Sequence, residues 1–192
     1  MYKYSIQVNF NISPLISYYV LEEQKTAELR HTRISPELIN PELISLLDRY
    51  DLIIIWAECF YRPMNDESII HTDYSCRPDG TPRDNIPKLN FIFNGKGSTM
   101  HWYYIKESAK NKIVSNNRIA SKYVSYTKDE VTLAESRQLL DLASYIVEAG
   151  VPHKVTNLES EDRFCISFSL MKKDKSDLTI ENLRTILADF LV

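Results

Sequence analysis

The chain has 192 residues, 44% of them hydrophobic and 26% charged, with a formal net charge of -3. That is enough ordinary globular composition for a core without disulfide or metal staples. Acids and bases are interspersed, so there is no nucleic-acid signal, although net charge does not describe any single pocket. The longest apolar run, residues 52–57, is far too short to cross a bilayer.

Only four glycines occur, in no phosphate-cradling or dinucleotide-binding pattern. The three cysteines, Cys59, Cys76 and Cys165, are odd in number and widely spaced. They outline neither a disulfide framework nor a structural zinc site, and reduced thiols fit a cytoplasmic setting. No signal-type apolar segment opens the chain. The expectation is one soluble, cytoplasmic domain over residues 1–192.

In chain order, residues 1–50 read as mixed support: a short strand at 4–10, a helix over 16–30, and a helix from Pro41, well placed in a first turn. From residue 51 the hydrophobic period changes to that of short strands, over 52–61, 68–75, 88–94 and 99–106. Loops rich in Pro, Asp, Asn and Gly separate them, notably at 77–82 and 94–97. A further strand fits 122–126, and residues 133–142 fit a short helix or a turn into a strand. Strands follow at 145–149, 151–157 and 163–171. A C-terminal helix over 178–191 presents Ile180, Leu183, Ile186, Leu187 and Phe190 on one face. Short strands flanked by helices predict a mainly β fold, a β-sandwich or jelly roll, with its core over 51–171.

His71-Thr72-Asp73 stands on one of these strands. Side chains two apart on a strand share a face, so His71 and Asp73 project together. His153 follows later, and Arg163 opens the last strand. Two histidines and a carboxylate are the ligands of the facial triad that holds non-haem iron(II) with positions left open. Along 163–170, one face carries Arg163, Cys165, Ser167 and Ser169, and the other Phe164, Ile166, Phe168 and Leu170. The apolar face needs a cover, which the terminal helices supply. The small polar face then lines a cavity, and a cation at its head suits an anion inside.

This arrangement resembles the iron(II)- and 2-oxoglutarate-dependent oxygenases, in particular the short hydroxylases of phages and bacteria. The matching stretches are SIIHTDYS (68–75), PKLNFIFN (87–94), STMHWY (98–103), GVPHKVTN (150–157) and DRFCISFS (162–169), and the resemblance spans roughly residues 51–170. It implies a double-stranded β-helix, cupin-like, with His71, Asp73 and His153 as metal ligands. It also implies iron(II) as metal, 2-oxoglutarate and O2 as co-substrates, and ascorbate as reductant. Arg163 then pairs with the far carboxylate of 2-oxoglutarate, a geometry suited to guanidinium, assisted by Asn90 and Ser167. Where some members have serine two residues after the arginine, this chain has Cys165.

Trp102 and Tyr103 are expected to wall the substrate site, and His101 to act structurally rather than as a fourth ligand. The expected outcome is hydroxylation of an amino-acid or peptide side chain or another small metabolite, with neither nucleic acid nor membrane as partner. Two other readings use the same residues. One is a catalytically silent cupin-like binding module. The other is a metalloenzyme independent of 2-oxoglutarate, since three ligands and an open position also suit zinc.

Overall fold

The computed structural model describes residues 2–18, 31–76, 80–109, 114–116, 122–158 and 161–192. The first half runs β1 (Ser5–Val8), β2 (His31–Arg33), α1 (Pro41–Arg49), β3 (Leu52–Arg62), β4 (Asp66–Glu67), β5 (Ile70–Tyr74), β6 (Pro87–Phe93) and β7 (Thr99–Ile105). The second half runs β8 (Ser115–Asn116), β9 (Lys122–Tyr126), β10 (Val131–Gln138), β11 (Ser144–Glu148), β12 (His153–Asn157), β13 (Arg163–Lys172) and α2 (Ile180–Ile186).

One sheet has the order β1-β11-β6-β13-β3-β2, the other β10-β7-β12-β5-β9-β8, with β4 also on β12. All described pairings are antiparallel. Without β4, β8 and β9, the strands from β3 onward alternate between the sheets except at β7 and β10, which pair with each other in the second sheet. The order 11-6-13-3 faces 10-7-12-5, the winding of a double-stranded β-helix. This is the expected mainly β, cupin-like jelly roll.

The two faces of β13 divide as their alternation predicts. Phe164, Ile166, Phe168 and Leu170 join a core with Leu43, Leu46 and Leu47 of α1 and Ile180 and Leu183 of α2. The helices therefore cover the outside of the first sheet. Asn40 starts α1 by accepting the Glu42 N–H at 2.9 Å, with Pro41 in the first turn. Between the sheets, Tyr4, Ile92, Met100, Trp102, Leu139, Tyr145, Val147 and Cys165 fill one end of the roll.

Several boundaries differ from the sequence reading. Residues 133–142 resolve into the end of β10 and a turn, because β10 pairs along β7. The C-terminal helix is shorter than expected: α2 stops at Ile186, and residues 188–190 form a 3-10 turn. Tertiary packing ends it there. Phe190 packs tilted against Phe10 and edge-on to Tyr50, its carbonyl accepts the Asn9 N–H, and Leu191 bridges Val8 at the edge of β1. Most of the helix expected over 16–30 lies outside the described residues, and Ile16 to Tyr18 are not helical. Among the described residues, no helix is long and apolar enough to cross a membrane.

Candidate metal centre

Register brings the distant ligands together. His153 on β12 is the cross-strand partner of His71 on β5, and paired residues share a face. Asp73 lies two positions along the same strand and hence on that face. The ligand atoms of His71, Asp73 and His153 all fall within 4.8 Å of one another. The two imidazole centroids are 4.4 Å apart, and His71 Nε2 is 3.5 Å from Asp73 Oδ1.

Both imidazoles are pre-set for ligation. His71 Nδ1 lies 3.1 Å from the Ile69 carbonyl and His153 Nδ1 2.9 Å from the Val151 carbonyl. A carbonyl only accepts, so each Nδ1 carries the proton and each Nε2 presents its lone pair. Burial, reinforced by the neighbouring His71, lowers the His153 pKa to about 3, so this ring stays neutral at ordinary pH. For Asp73, burial acts to raise the pKa. Lys88 and then the two imidazoles outweigh it and hold the carboxyl below its usual range. Two imidazole nitrogens and one carboxylate form a donor set that fits a divalent ion such as iron(II) or zinc.

Lys88 reaches this face from β6 in the opposite sheet. Its Nζ is 2.6 Å from Asp73 Oδ2 and 3.1 Å from Glu58 Oε2. Glu58 Oε1 in turn accepts Trp56 Nε1–H at 2.7 Å and lies 3.1 Å from His31 Nε2. Burial works against the Lys88 charge, but the two carboxylates more than compensate and raise its pKa above the ordinary lysine value. Sequence reading missed Lys88 and Glu58. The available signal was a charged residue within an otherwise apolar strand.

A cavity of about 550 Å³ opens beside the triad, lined by residues including His71, Asp73, Lys88, Glu58, Trp56 and Tyr123. That volume suits a small-molecule ligand. Arg83 and Ile86, ahead of β6, and Lys122 at the start of β9 also border it.

The remaining sequence-predicted residues divide into two sets. Arg163, Asn90 and Ser167 share the inner face of the helix-backed sheet, with Ser167 directly opposite Asn90. All three are buried, and Arg163 Nε, Asn90 Oδ1 and Ser167 Oγ have no hydrogen-bond partner among the described residues. Buried polar atoms in that condition fit a polar ligand. They do not border the cavity itself, whose lining includes Arg62, the cross-strand neighbour of Arg163.

Trp102 and Tyr103, expected to wall the substrate site, lie outside the lining of this cavity. Trp102 faces inward opposite His153 but is fully buried in the packed end of the roll, donating its Nε1–H to the Glu148 carbonyl at 2.9 Å. Tyr103, the next residue on the strand, points to the outer face. His101 shares that outer face, held between Ser136 Oγ at 2.8 Å and Thr156 Oγ1 at 3.2 Å, away from the triad.

Fold and side chains together define a cupin-like jelly roll with a candidate His-Asp-His metal centre. No family model matches the chain, and no curated protein matches it in sequence. Solved structures that it resembles include HygX from Streptomyces hygroscopicus with iron bound, at 10% identity and a TM-score of 0.46, covering 88% of this chain and 82% of that one. HygX with nickel and 2-oxoglutarate bound aligns at 12% identity and a TM-score of 0.43, over 88% and 82% of the two chains. Peruvianin-I, a cysteine peptidase from Thevetia peruviana latex, aligns at 14% identity and 0.36, over 76% and 63%. Similarity at these scores carries no weight for function, which has to be read from the side chains.

Proposed function

We propose that the chain is an iron(II)- and 2-oxoglutarate-dependent oxygenase that hydroxylates an amino-acid or peptide side chain or another small metabolite in the cytoplasm. One observation carries this reading: His71, Asp73 and His153 converge with both Nδ1–H groups tied to carbonyls, so two nitrogen lone pairs and a carboxylate face one point. When bound, the iron supplies the redox chemistry that couples oxidation of 2-oxoglutarate by O2 to oxidation of a substrate C–H bond. His71, Asp73 and His153 hold the metal. Arg163, with Asn90 and Ser167, takes the distal carboxylate of 2-oxoglutarate, which satisfies their unpartnered polar atoms. The cavity beside His71 and Asp73 receives the substrate.

Protein supplied with iron(II), ascorbate and 2-oxoglutarate is expected to release succinate, at least in slow uncoupled turnover. His71→Ala is expected to abolish metal binding, and Arg163→Ala chiefly to raise the 2-oxoglutarate requirement. If calorimetry on the metal-loaded protein finds no 2-oxoglutarate binding, the reading fails.

A second reading, a metalloenzyme independent of 2-oxoglutarate, draws on the position of Arg163 outside the lining of the cavity that His71 and Asp73 border. It predicts zinc in protein purified without added metal and an activity indifferent to Arg163.

A further inference from the structure

We propose that Lys88 is a positioning residue that restricts Asp73 to one metal-facing oxygen, with Glu58 as its counter-charge. The inference rests on the metal-binding reading above.

A carboxylate has two equivalent oxygens, and a metal ligand free to use both takes an extra coordination position. Here the oxygens are already divided. Oδ1 faces the imidazoles, 3.5 Å from His71 Nε2, while Oδ2 is held by Lys88 Nζ at 2.6 Å. The ammonium takes up one lone pair of Oδ2 and draws that oxygen toward the opposite sheet, which leaves Oδ1 as the oxygen turned to the imidazoles.

Lys88 is itself anchored. Its second carboxylate partner, Glu58, is 2% exposed and fixed by Trp56 and His31. The lysine is 9% exposed, so leaving both carboxylates would strand a buried charge. The pair adds no net charge: Lys88 contributes +1 and Glu58 contributes −1. It therefore orients Asp73 from the opposite sheet without making the site more hostile to a dication. Each position kept free at the metal is one that a co-substrate or water can occupy.

Mn(II) alone is the probe, in the wild type, Lys88→Met, Glu58→Gln and the double variant. Affinity is read from the EPR signal of free Mn(II), and coordinated waters from water-proton relaxation. Lys88→Met is expected to bind Mn(II) about tenfold tighter, because a nearby cation is gone, yet to carry about one coordinated water fewer. Glu58→Gln is expected to bind about tenfold weaker with its water number unchanged. The double variant restores near wild-type affinity but keeps the lower water number, which separates charge from positioning.

A wild-type water number in Lys88→Met overturns the proposal while leaving the metal reading intact. No Mn(II) uptake by the wild type removes both. Should Lys88→Met fail to fold, a structure of the Mn(II)-loaded wild type decides the matter. Oδ2 still on Lys88 supports the proposal, and both Asp73 oxygens on the metal overturn it.

Discussion

Glu148 offers a test of the scaffold that holds the ligand strands. Its Oε1 accepts the Ile86 N–H at 2.6 Å and the Gly150 N–H at 2.8 Å, across the turn that leads into His153. The next carbonyl, that of Ala149, accepts the Asp73 N–H at 2.9 Å. Burial raises the Glu148 pKa from 4.5 to about 7, against the pull of the two N–H donors. The folded pKa is thus above the unfolded one. The neutral acid's contribution is fully present below pH 4.5 and is lost as pH rises through about 7, because the unfolded chain gives up its proton first. The difference of 7 − 4.5 = 2.5 in pKa corresponds to roughly 3 kcal/mol, at about 1.4 kcal/mol per tenfold. Glu148→Gln keeps the shape and has no proton to lose. Its stability relative to wild type, from urea unfolding in chelator between pH 5 and 8, is expected to improve steadily with pH, by about 2–3 kcal/mol in all. The wild-type curve alone is not diagnostic. His153, lowered from 6.5 to about 3, loses stability in the opposite direction as pH falls below 6.5. The difference curve cancels that contribution, and a flat one would refute the assignment.

Three further perturbations probe the same framework. Gly150→Ala puts a Cβ 2.7 Å from the Asp84 carbonyl oxygen and 2.8 Å from Glu148 Oε1; an expected loss of about 1–3 kcal/mol is checked by urea unfolding. Leu183→Ala empties a fully buried position where α2 meets the helix-backed sheet. It is expected to cost about 2–5 kcal/mol, seen as a lower denaturation midpoint with an unchanged slope. Thr179→Ala removes the capping box in which Thr179 Oγ1 accepts the Asn182 N–H at 3.1 Å. About 1 kcal/mol is expected, and thermal melts monitored by circular dichroism measure it.

What the sequence disclosed and what it withheld follow from the range of each interaction. Strand alternation is local, so HTD was readable as two candidate ligands on one face, and β13 as an apolar stripe backing a polar one. The helix covering that apolar stripe was readable from its period, but its end was not. Phe190 leaves the helical path to meet Phe10 and Tyr50, and residues so remote in sequence exert no local pattern. Alternation puts Trp102 and Tyr103 on opposite faces of their strand, yet it cannot say which end of the roll is packed and which is hollow. At the packed end the indole stacks on Tyr4, 6.2 Å between centroids, and becomes core.

The charged network at the open end shows the same limit most clearly. Glu58 stands in the buried stretch Ala57–Cys59 of LIIIWAECFYR, and Lys88 inside the almost wholly buried PKLNFIF. A charge at such a position has to find a partner, because an unpaired one is too costly to bury. The need for partners was therefore already written in the two strands. Their identity depended on the facing of two sheets, which set Lys88 between Glu58 on its own sheet and Asp73 on the other. A buried charge in an apolar strand is thus a pointer toward a site before any ligand is recognised, and here it points to the carboxylate of the triad.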